Sequence, residues 1–192
     1  MTKSIFIAAA LLLAAASHVQ ASEIAVTTDG SWHEFDVDDF TSTSGGLEWI
    51  DNITGPAGYA GDGSALTFTF TLGTAGILKV VDGGFGGDRF EVFDNGVSLG
   101  YTSVAPDSDP INKGTDFDSA YSDATWSSAV FNLSAGTHNI TGALIRSALV
   151  DGLAINATVG AVSVAAVPVP AAWGLFMAGS ALLGAISRRR SA

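Results

Sequence analysis

The chain has 192 residues and no cysteine, which excludes a disulfide framework, a thiolate metal site and a cysteine nucleophile. All 19 acidic residues fall between residues 22 and 166, together with four of the basic ones, so this segment carries a formal charge of 4 − 19 = −15. Such a charge argues against nucleic acid as a partner and favours divalent cations or basic surfaces.

Residues 1–21 predict a secretory signal peptide. Lys3 lies near the start, residues 5–16 form an unbroken apolar run, and small residues precede a cleavage site between Ala21 and Ser22. The run is shorter than the ~20 apolar residues that a bilayer span needs. We therefore expect export, removal of this segment and a folded domain over residues 22–166.

The composition of residues 22–166 predicts an all-β domain. Glycine, threonine, valine and phenylalanine are abundant, and residues 66–72 alternate apolar and polar side chains with a period of two. Further candidate strands are residues 24–27, 32–37, 47–50, 77–81, 89–94, 97–102, 127–133, 137–145 and 153–159. About nine or ten short strands with glycine-rich turns predict an antiparallel β-sandwich of jelly-roll type.

A β-hairpin is predicted around Asn95-Gly96. This dipeptide favours a two-residue type I′ turn, in which both residues need positive φ. The register that the turn implies pairs Asp94 with Val97, Val92 with Leu99 and Phe90 with Tyr101. Apolar residues would then face each other across the two strands.

Four aspartates in the turn-rich stretch 105–125 are candidate calcium ligands. Carboxylates at alternate positions, as in this stretch, can converge on calcium, which takes six to eight oxygen ligands. They are Asp107, Asp109, Asp116 and Asp118. The alternative is a solvated acidic loop without metal.

Residues 83–91 match one copy of the calcium-binding nonapeptide G-G-x-G-x-D-x-U-x. Such sites need successive turns of a parallel β-helix to complete the calcium shell, and a single copy has no such partner. We therefore interpret the segment as a glycine-rich connection into the hairpin.

Five aromatic residues could form a platform for sugar stacking, or could belong to the core. They are Trp32, Trp49, Tyr59, Tyr101 and Trp126.

Candidate catalytic groups are few: His33 and His138 are the histidines of the domain, and no Gly-x-Ser-x-Gly motif is present. We predict no catalytic residue, and keep a paired-carboxylate glycan hydrolase as an alternative.

The C-terminal residues 167–192 combine three features. The first is a proline motif that comprises Val167, Pro168, Val169 and Pro170. The second is the uncharged segment 171–187, whose 17 residues are at the short limit of a membrane span. The third is a cluster of arginines: Arg188, Arg189 and Arg190. Arginines after a span remain cytoplasmic. This pattern predicts a single transmembrane helix with the acidic domain outside, either as a permanent anchor or as a processed tag.

These last residues resemble the sorting tag of PEP-CTERM proteins of biofilm-forming Gram-negative bacteria, which consists of a Pro-x-Pro motif, an apolar helix and an arginine-rich tail. Val169 stands where that family usually has glutamate. The resemblance implies that an exosortase, a membrane-embedded transpeptidase-like enzyme, cuts the chain near the motif. The stretch from Gly87-Asp88 through Phe90, Val92 and Asn95-Gly96 also resembles a β-sandwich ectodomain of such proteins.

Together these features predict an exported, non-catalytic protein of the cell surface or extracellular matrix. It would pass through an inner-membrane intermediate held by its C-terminal helix, be processed by an exosortase and bind no nucleic acid. No cofactor is expected other than calcium at the aspartates above. The alternative from another class is a calcium-assisted carbohydrate-binding module with extracellular polysaccharide as its partner.

Overall fold

The computed structural model describes residues 21–51 and 61–168. Within them it contains twelve β-strands and one short helix. In chain order they are β1 Ser22–Ala25, β2 Asp29–Asp38, β3 Ile50–Asp51, β4 Ser64–Leu72, β5 Gly76–Asp82, β6 Arg89–Asp94, β7 Val97–Tyr101, α1 Phe117–Tyr121, β8 Ser128–Leu133, β9 Gly136–Arg146, β10 Leu149–Val150, β11 Leu153–Ala154 and β12 Ala157–Ala166.

The eight long strands form two antiparallel groups, ordered β2-β12-β5-β8 and β4-β9-β6-β7. The two-residue strand β3 hydrogen-bonds to both β2 and β4 and so joins the groups into one sheet. Strand β1 pairs with β4 in parallel, and β10 and β11 form a separate small hairpin. The two edge strands also approach each other: the amide of Ser103, two residues beyond β7, donates to the carbonyl of Ser128, the first residue of β8, at 2.9 Å, so the sheet nearly closes on itself.

One hydrophobic core fills the space between the two groups. The Phe35 ring of β2 stacks on Trp49 with ring centres 3.9 Å apart and meets Phe90 of β6 edge-on at 5.2 Å. Along β4 the core-facing residues alternate with more exposed ones, which confirms the period-two prediction for residues 66–72. The all-β, mainly antiparallel, sandwich-like prediction is therefore confirmed.

A second, smaller core lies on the outer face of β5 and β12. Val81 and Ala161 point away from the main core and are covered by Phe117 and Ala120 of α1 and by Trp126. The Asp116 side chain caps the helix by accepting a hydrogen bond from the Ser119 amide at 3.2 Å. The acidic stretch 105–125 is therefore folded onto the sheet rather than extended into solvent.

The structure confirms the Asn95-Gly96 turn but corrects the hairpin register. Asn95 and Gly96 have φ of 50° and 77°, and Asp94 pairs with Val97 as predicted. Beyond that pair a bulge shifts the register, so that Val92 lies opposite Gly100 and not Leu99, and Glu91, not Phe90, lies opposite Tyr101. Gly100 has a φ of 121°, which a residue with a side chain rarely adopts.

The first and last strands of the described residues lie near the two ends of the segment 22–166. Strand β1 begins at Ser22, with Ala21 exposed before it, and β12 ends at Ala166, followed by exposed Val167 and Pro168. The rest of the predicted signal peptide, the residues Val169 and Pro170, the apolar segment and Arg188–Arg190 lie outside the described residues. None of the described residues forms a helix long and apolar enough to span a membrane.

Candidate functional site

The most unusual polar group of the described residues is a pair of buried aspartates. Asp82 is the last residue of β5 and Asp88 directly precedes β6, so the two flank the glycine-rich connection 83–87. Their exposed fractions are 0% and 1%. Carboxylates are rarely buried to this extent unless they are paired with a cation or bind a metal.

Each of these carboxylates is only half satisfied by hydrogen bonds. Asp82 Oδ2 accepts from the amides of Gly87 and Asp88, both at 3.1 Å, and Asp88 Oδ1 accepts from the Ala148 amide at 2.7 Å. The second oxygens, Asp82 Oδ1 and Asp88 Oδ2, make no hydrogen bond of normal geometry with any described residue, although the Gly83 amide lowers the pKa of Asp82 and the Thr158 hydroxyl lowers that of Asp88. A buried acceptor without a partner costs about 1–3 kcal/mol, more when it is charged.

The glycines of the connection between the two aspartates are closely packed. A side chain at Gly86 would lie 2.6 Å from the Thr125 carbonyl, and one at Gly87 would lie 2.7 Å from Asp107 Oδ1. Gly87 also has a φ of 125°, in the region that favours glycine. The glycines are thus required by close packing, and the segment joins β5 to β6 as the sequence predicted.

Arg146 lies beside the pair but binds mainly elsewhere. Its Nη2 contacts both carboxylate oxygens of Asp107, at 3.0 and 3.1 Å, and its Nη1 donates to the Gly87 carbonyl. Arg146 thus supplies a positive charge beside Asp107 through a single nitrogen. Asp107 also accepts from the Leu149 amide at 3.0 Å, so it ties the acidic stretch to the end of β9.

Burial dominates the titration of both aspartates. Desolvation, and then the neighbouring Asp88 carboxylate, raise the pKa of Asp82 to about 9, against a smaller lowering by backbone amides. Burial also raises the pKa of Asp88, while the Thr158 hydroxyl, the Ala148 amide and Arg146 oppose that rise. Both groups therefore favour a proton, or another positive charge, over the bare anion.

The four aspartates predicted as calcium ligands each have a structural contact. Asp107 pairs with Arg146, Asp109 accepts from the Asp151 amide at 3.1 Å, Asp116 caps α1, and Asp118 accepts from Trp32 Nε1 at 2.8 Å. No group of three or more His, Cys, Asp or Glu side chains placed to hold a metal occurs among residues 21–51 and 61–168. Calcium at these four aspartates stays a hypothesis.

The aromatic residues predicted as a sugar platform do not share one surface. Trp49 and Trp126 are buried in the two cores, 1% and 2% exposed, while Trp32 packs against Phe117 and Tyr121. Tyr101 is 50% exposed, with the Arg89 guanidinium 5.0 Å from its ring centre. Tyr59 lies outside the described residues.

The two histidines of the domain differ in environment. His138 is 4% exposed, with Nδ1 2.8 Å from Asp94 Oδ2 and Nε2 3.1 Å from the Ser134 carbonyl. Both ring nitrogens therefore face acceptors, and this side chain links β9 to the end of β6. His33 contacts the Thr27 hydroxyl at 3.3 Å, and partial burial lowers its pKa, against a raising effect of Asp29.

Sequence reasoning did not single out the buried pair. Asp88 was part of both motifs noted above, the nonapeptide and the ectodomain pattern, but Asp82 followed an ordinary strand without any motif. The one available signal was the acidic residue at each end of a Gly-Gly-x-Gly-Gly run. Their burial depends on residues 105–108 and 146–148 folding over the connection.

Comparison with known proteins adds little. No family model matches the chain, and no curated protein matches it. Among solved structures, the pre-peptidase C-terminal domain of a collagenase from Bacillus anthracis is similar over 77% of this chain and 98% of that domain, with 9% identity and a TM-score of 0.40. So distant a likeness identifies no function.

Proposed function

We propose that this protein is a non-catalytic component of the cell surface or extracellular matrix, exported by its signal peptide and sorted through a PEP-CTERM-like C-terminal tag. The observation that carries the proposal is the exposed exit of the chain. Strand β12 ends at Ala166, and Val167, the first residue of the proline motif, is 41% exposed. A processing enzyme needs the motif outside the folded domain, and this exit supports such access.

Ser22, which follows the predicted signal cleavage site, and Val167, the first residue of the proline motif, lie near opposite ends of β4. Ser22 contacts the Ser64 hydroxyl at 2.8 Å, at the start of β4, whereas the Val167 amide donates to the Ala75 carbonyl just beyond the end of β4. A nine-residue strand spans roughly 27–30 Å. Cleavage at either end would therefore leave the core and the contacts of the other end intact.

A structural rather than catalytic role is supported by the contacts of the polar side chains. His138 is buried against Asp94, and Arg146 holds Asp107. These groups connect strands and loops.

We also propose that the fold is a jelly roll. The pairing orders β2-β12-β5-β8 and β4-β9-β6-β7 support this, because in a jelly roll two interleaved Greek keys form two four-stranded sheets.

The test is the intact mass of the mature protein in its native host, combined with fractionation of membrane, cell surface and medium. We expect a chain that begins at Ser22, lacks Arg188–Arg190 and accumulates at the surface or in the matrix. A chain that retains Arg190 and stays in the membrane fraction would refute sorting and indicate a permanent anchor.

Substitutions in the motif sharpen this test. Pro168→Ala combined with Pro170→Ala should leave the unprocessed chain in the membrane, while Val169→Glu, which restores the residue usual in the family, should be processed normally. As a control, Thr74→Ala removes the hydroxyl that contacts the Val167 carbonyl at 3.2 Å, together with one methyl group, and leaves the motif itself unchanged. It should be sorted like the wild type; if it is retained as strongly as the proline variant, the effect comes from local folding and not from the motif.

A further inference from the structure

We propose that the buried aspartates hold one proton at neutral pH, on Asp82, and that loss of this proton at alkaline pH releases the acidic stretch 105–125 from the connection 83–87. This conformational device lies within the domain and does not depend on how the protein is sorted. Three features of the structure support it: the burial of the pair, the unequal surroundings of its two carboxylates, and the backbone contacts that dock the acidic stretch.

Burial makes two bare carboxylates costly at this place. Asp82 and Asp88 are 0% and 1% exposed, and neither forms an ion pair with a basic side chain of the described residues. A carboxylate that is buried without a paired cation takes up a proton instead of keeping its charge. Like charges add to this effect, since Asp88 acts on Asp82 and Asp107 acts on Asp88. Of two interacting carboxylates, one binds its proton much more tightly than an isolated acid does.

The surroundings of the two carboxylates assign the proton to Asp82. Asp88 Oδ1 accepts from the Ala148 amide at 2.7 Å. The Thr158 hydroxyl and the Arg146 charge also favour the Asp88 anion. Asp82, by contrast, has only backbone amides as hydrogen-bond partners among the described residues, and burial raises its pKa to about 9. We therefore expect a neutral Asp82 beside an anionic Asp88 at neutral pH.

The four basic side chains of segment 22–166 have other partners than Asp82. Lys79 and Arg89 lie over tyrosine rings, 4.9 and 5.0 Å from the ring centres. Lys113 forms an ion pair at 2.8 Å within the acidic stretch, and Arg146 forms one with the same stretch at 3.0 Å. The other charged groups of the acidic stretch are carboxylates, and strands β8 and β12 carry no charge. A proton is therefore the positive charge that remains for Asp82.

The connection 83–87 is the base on which the acidic stretch docks. The Ser108 amide donates to the Gly86 carbonyl at 3.0 Å, and the Lys113 amide donates to the Gly84 carbonyl at 2.9 Å. Nε1 of Trp126, which is buried in the second core, donates to the same Gly84 carbonyl at 3.3 Å. Ionisation of Asp82 would put a buried negative charge at each end of this short connection. We expect the connection to open in response, and the acidic stretch then loses these contacts.

The test compares the wild type with Asp82→Asn, because asparagine has the shape of the neutral acid and does not titrate. The full chain, purified in detergent, is unfolded in urea at a series of pH values. Because the pKa of Asp82 is raised in the folded state, the stability that its proton contributes is greatest at low pH and is lost as the pH rises towards about 9. Relative to the variant, the folded-to-unfolded ratio of the wild type should fall about tenfold per pH unit between roughly pH 5 and 8, the slope for one proton.

Hydrogen exchange of the same proteins locates the opening. Above a pH of about 9, amides of residues 83–87 and 105–116 of the wild type should lose protection relative to Asp82→Asn at the same pH. Strands β4 and β9 should keep theirs. The matched control is Asp118→Asn, whose exposed carboxylate accepts from Trp32 Nε1; it should follow the wild type in both measurements.

Three results would overturn the inference. A wild-type stability profile parallel to that of Asp82→Asn would refute a proton on Asp82. Equal protection of the acidic stretch in the two proteins at alkaline pH would refute its release. Should the variant fail to fold, infrared spectroscopy of the wild type at pH 7.5 counts the neutral carboxylic acids directly. One such acid that disappears above a pH of about 9 supports the proposal, and any other count refutes it.

Discussion

Replacement of Gly142 by alanine is expected to destabilise the fold by forcing apart the aromatic stack at the centre of the core. Gly142 lies in β9 beneath the Trp49 ring. An added Cβ would lie 2.7 Å from Trp49 Cδ2 and closer still to Cε2 and Cζ2. No left-handed φ is involved at this glycine, so the expected effect is steric.

The magnitude follows from how far the ring would have to move. Carbon atoms in contact are normally about 3.5–4.0 Å apart, so the ring would have to withdraw by about 1 Å or more. Trp49 is 1% exposed and stacks on Phe35 at 3.9 Å, with Phe90 edge-on at 6.2 Å, so it has no free space to enter. Overpacking of this kind costs about 1–3 kcal/mol, which lowers Tm by roughly 3–10 °C.

Chemical and thermal denaturation, followed by tryptophan fluorescence and circular dichroism, measure the effect. The matched control is Gly73→Ala, because a Cβ there meets no atom within 4 Å and no left-handed φ is required; it should change stability by less than about 1 kcal/mol, in either direction. In a Trp49→Phe background the smaller ring can retreat, so the cost of Gly142→Ala should fall by at least half. Equal costs at Gly142 and Gly73, or an undiminished cost beside Phe, would refute the steric argument.

Two further predictions concern a half-buried carboxylate and a buried histidine. Burial, and secondarily the neighbouring carboxylates, raise the pKa of Asp36 to about 6, so the folded protein binds its proton more tightly than the unfolded chain does. The free energy of unfolding should therefore fall as pH rises from about 4 to about 6, by roughly 1–2 kcal/mol after allowance for solvent screening. Asp36→Asn should remove that part of the pH dependence. A pH profile of the variant that runs parallel to that of the wild type would contradict this prediction. His138→Phe should cost about 1–3 kcal/mol in urea denaturation, because Asp94 and the Ser134 carbonyl lose their partner, and a loss below 0.5 kcal/mol would show that the contact contributes little.

Local patterns predicted the parts of the fold that depend on neighbouring residues alone. The alternation in residues 66–72 marks a half-buried strand wherever that strand pairs, and Asn95-Gly96 forms its turn because both residues tolerate positive φ. The register beyond the turn was missed because the bulge opposite Val92 also depends on how β6 pairs with β9 on its other side. That pairing joins segments about 50 residues apart, which no local pattern encodes.

The last strand shows the same limit. We predicted a strand over residues 153–159, but β12 covers Ala157–Ala166 and lies between β2 and β5. Its segment 160–164 is buried on both faces, since Val162 and Val164 enter the main core and Ala161 lies under α1. A strand covered on both faces loses the alternation that identifies half-buried strands.

The sequence by itself determined the all-β class, the acidic charge of residues 22–166, the hairpin turn, and the expectation of export and C-terminal sorting, because each depends on composition or on residues close together in the chain. Only the tertiary structure decided which carboxylates are buried. Asp82 and Asp88 are ordinary acids in sequence, and they become a buried pair because the Gly83–Gly87 connection and the Arg146–Ala148 segment close over them. Burial is a property of long-range packing, and it is burial that raises the pKa of these two acids.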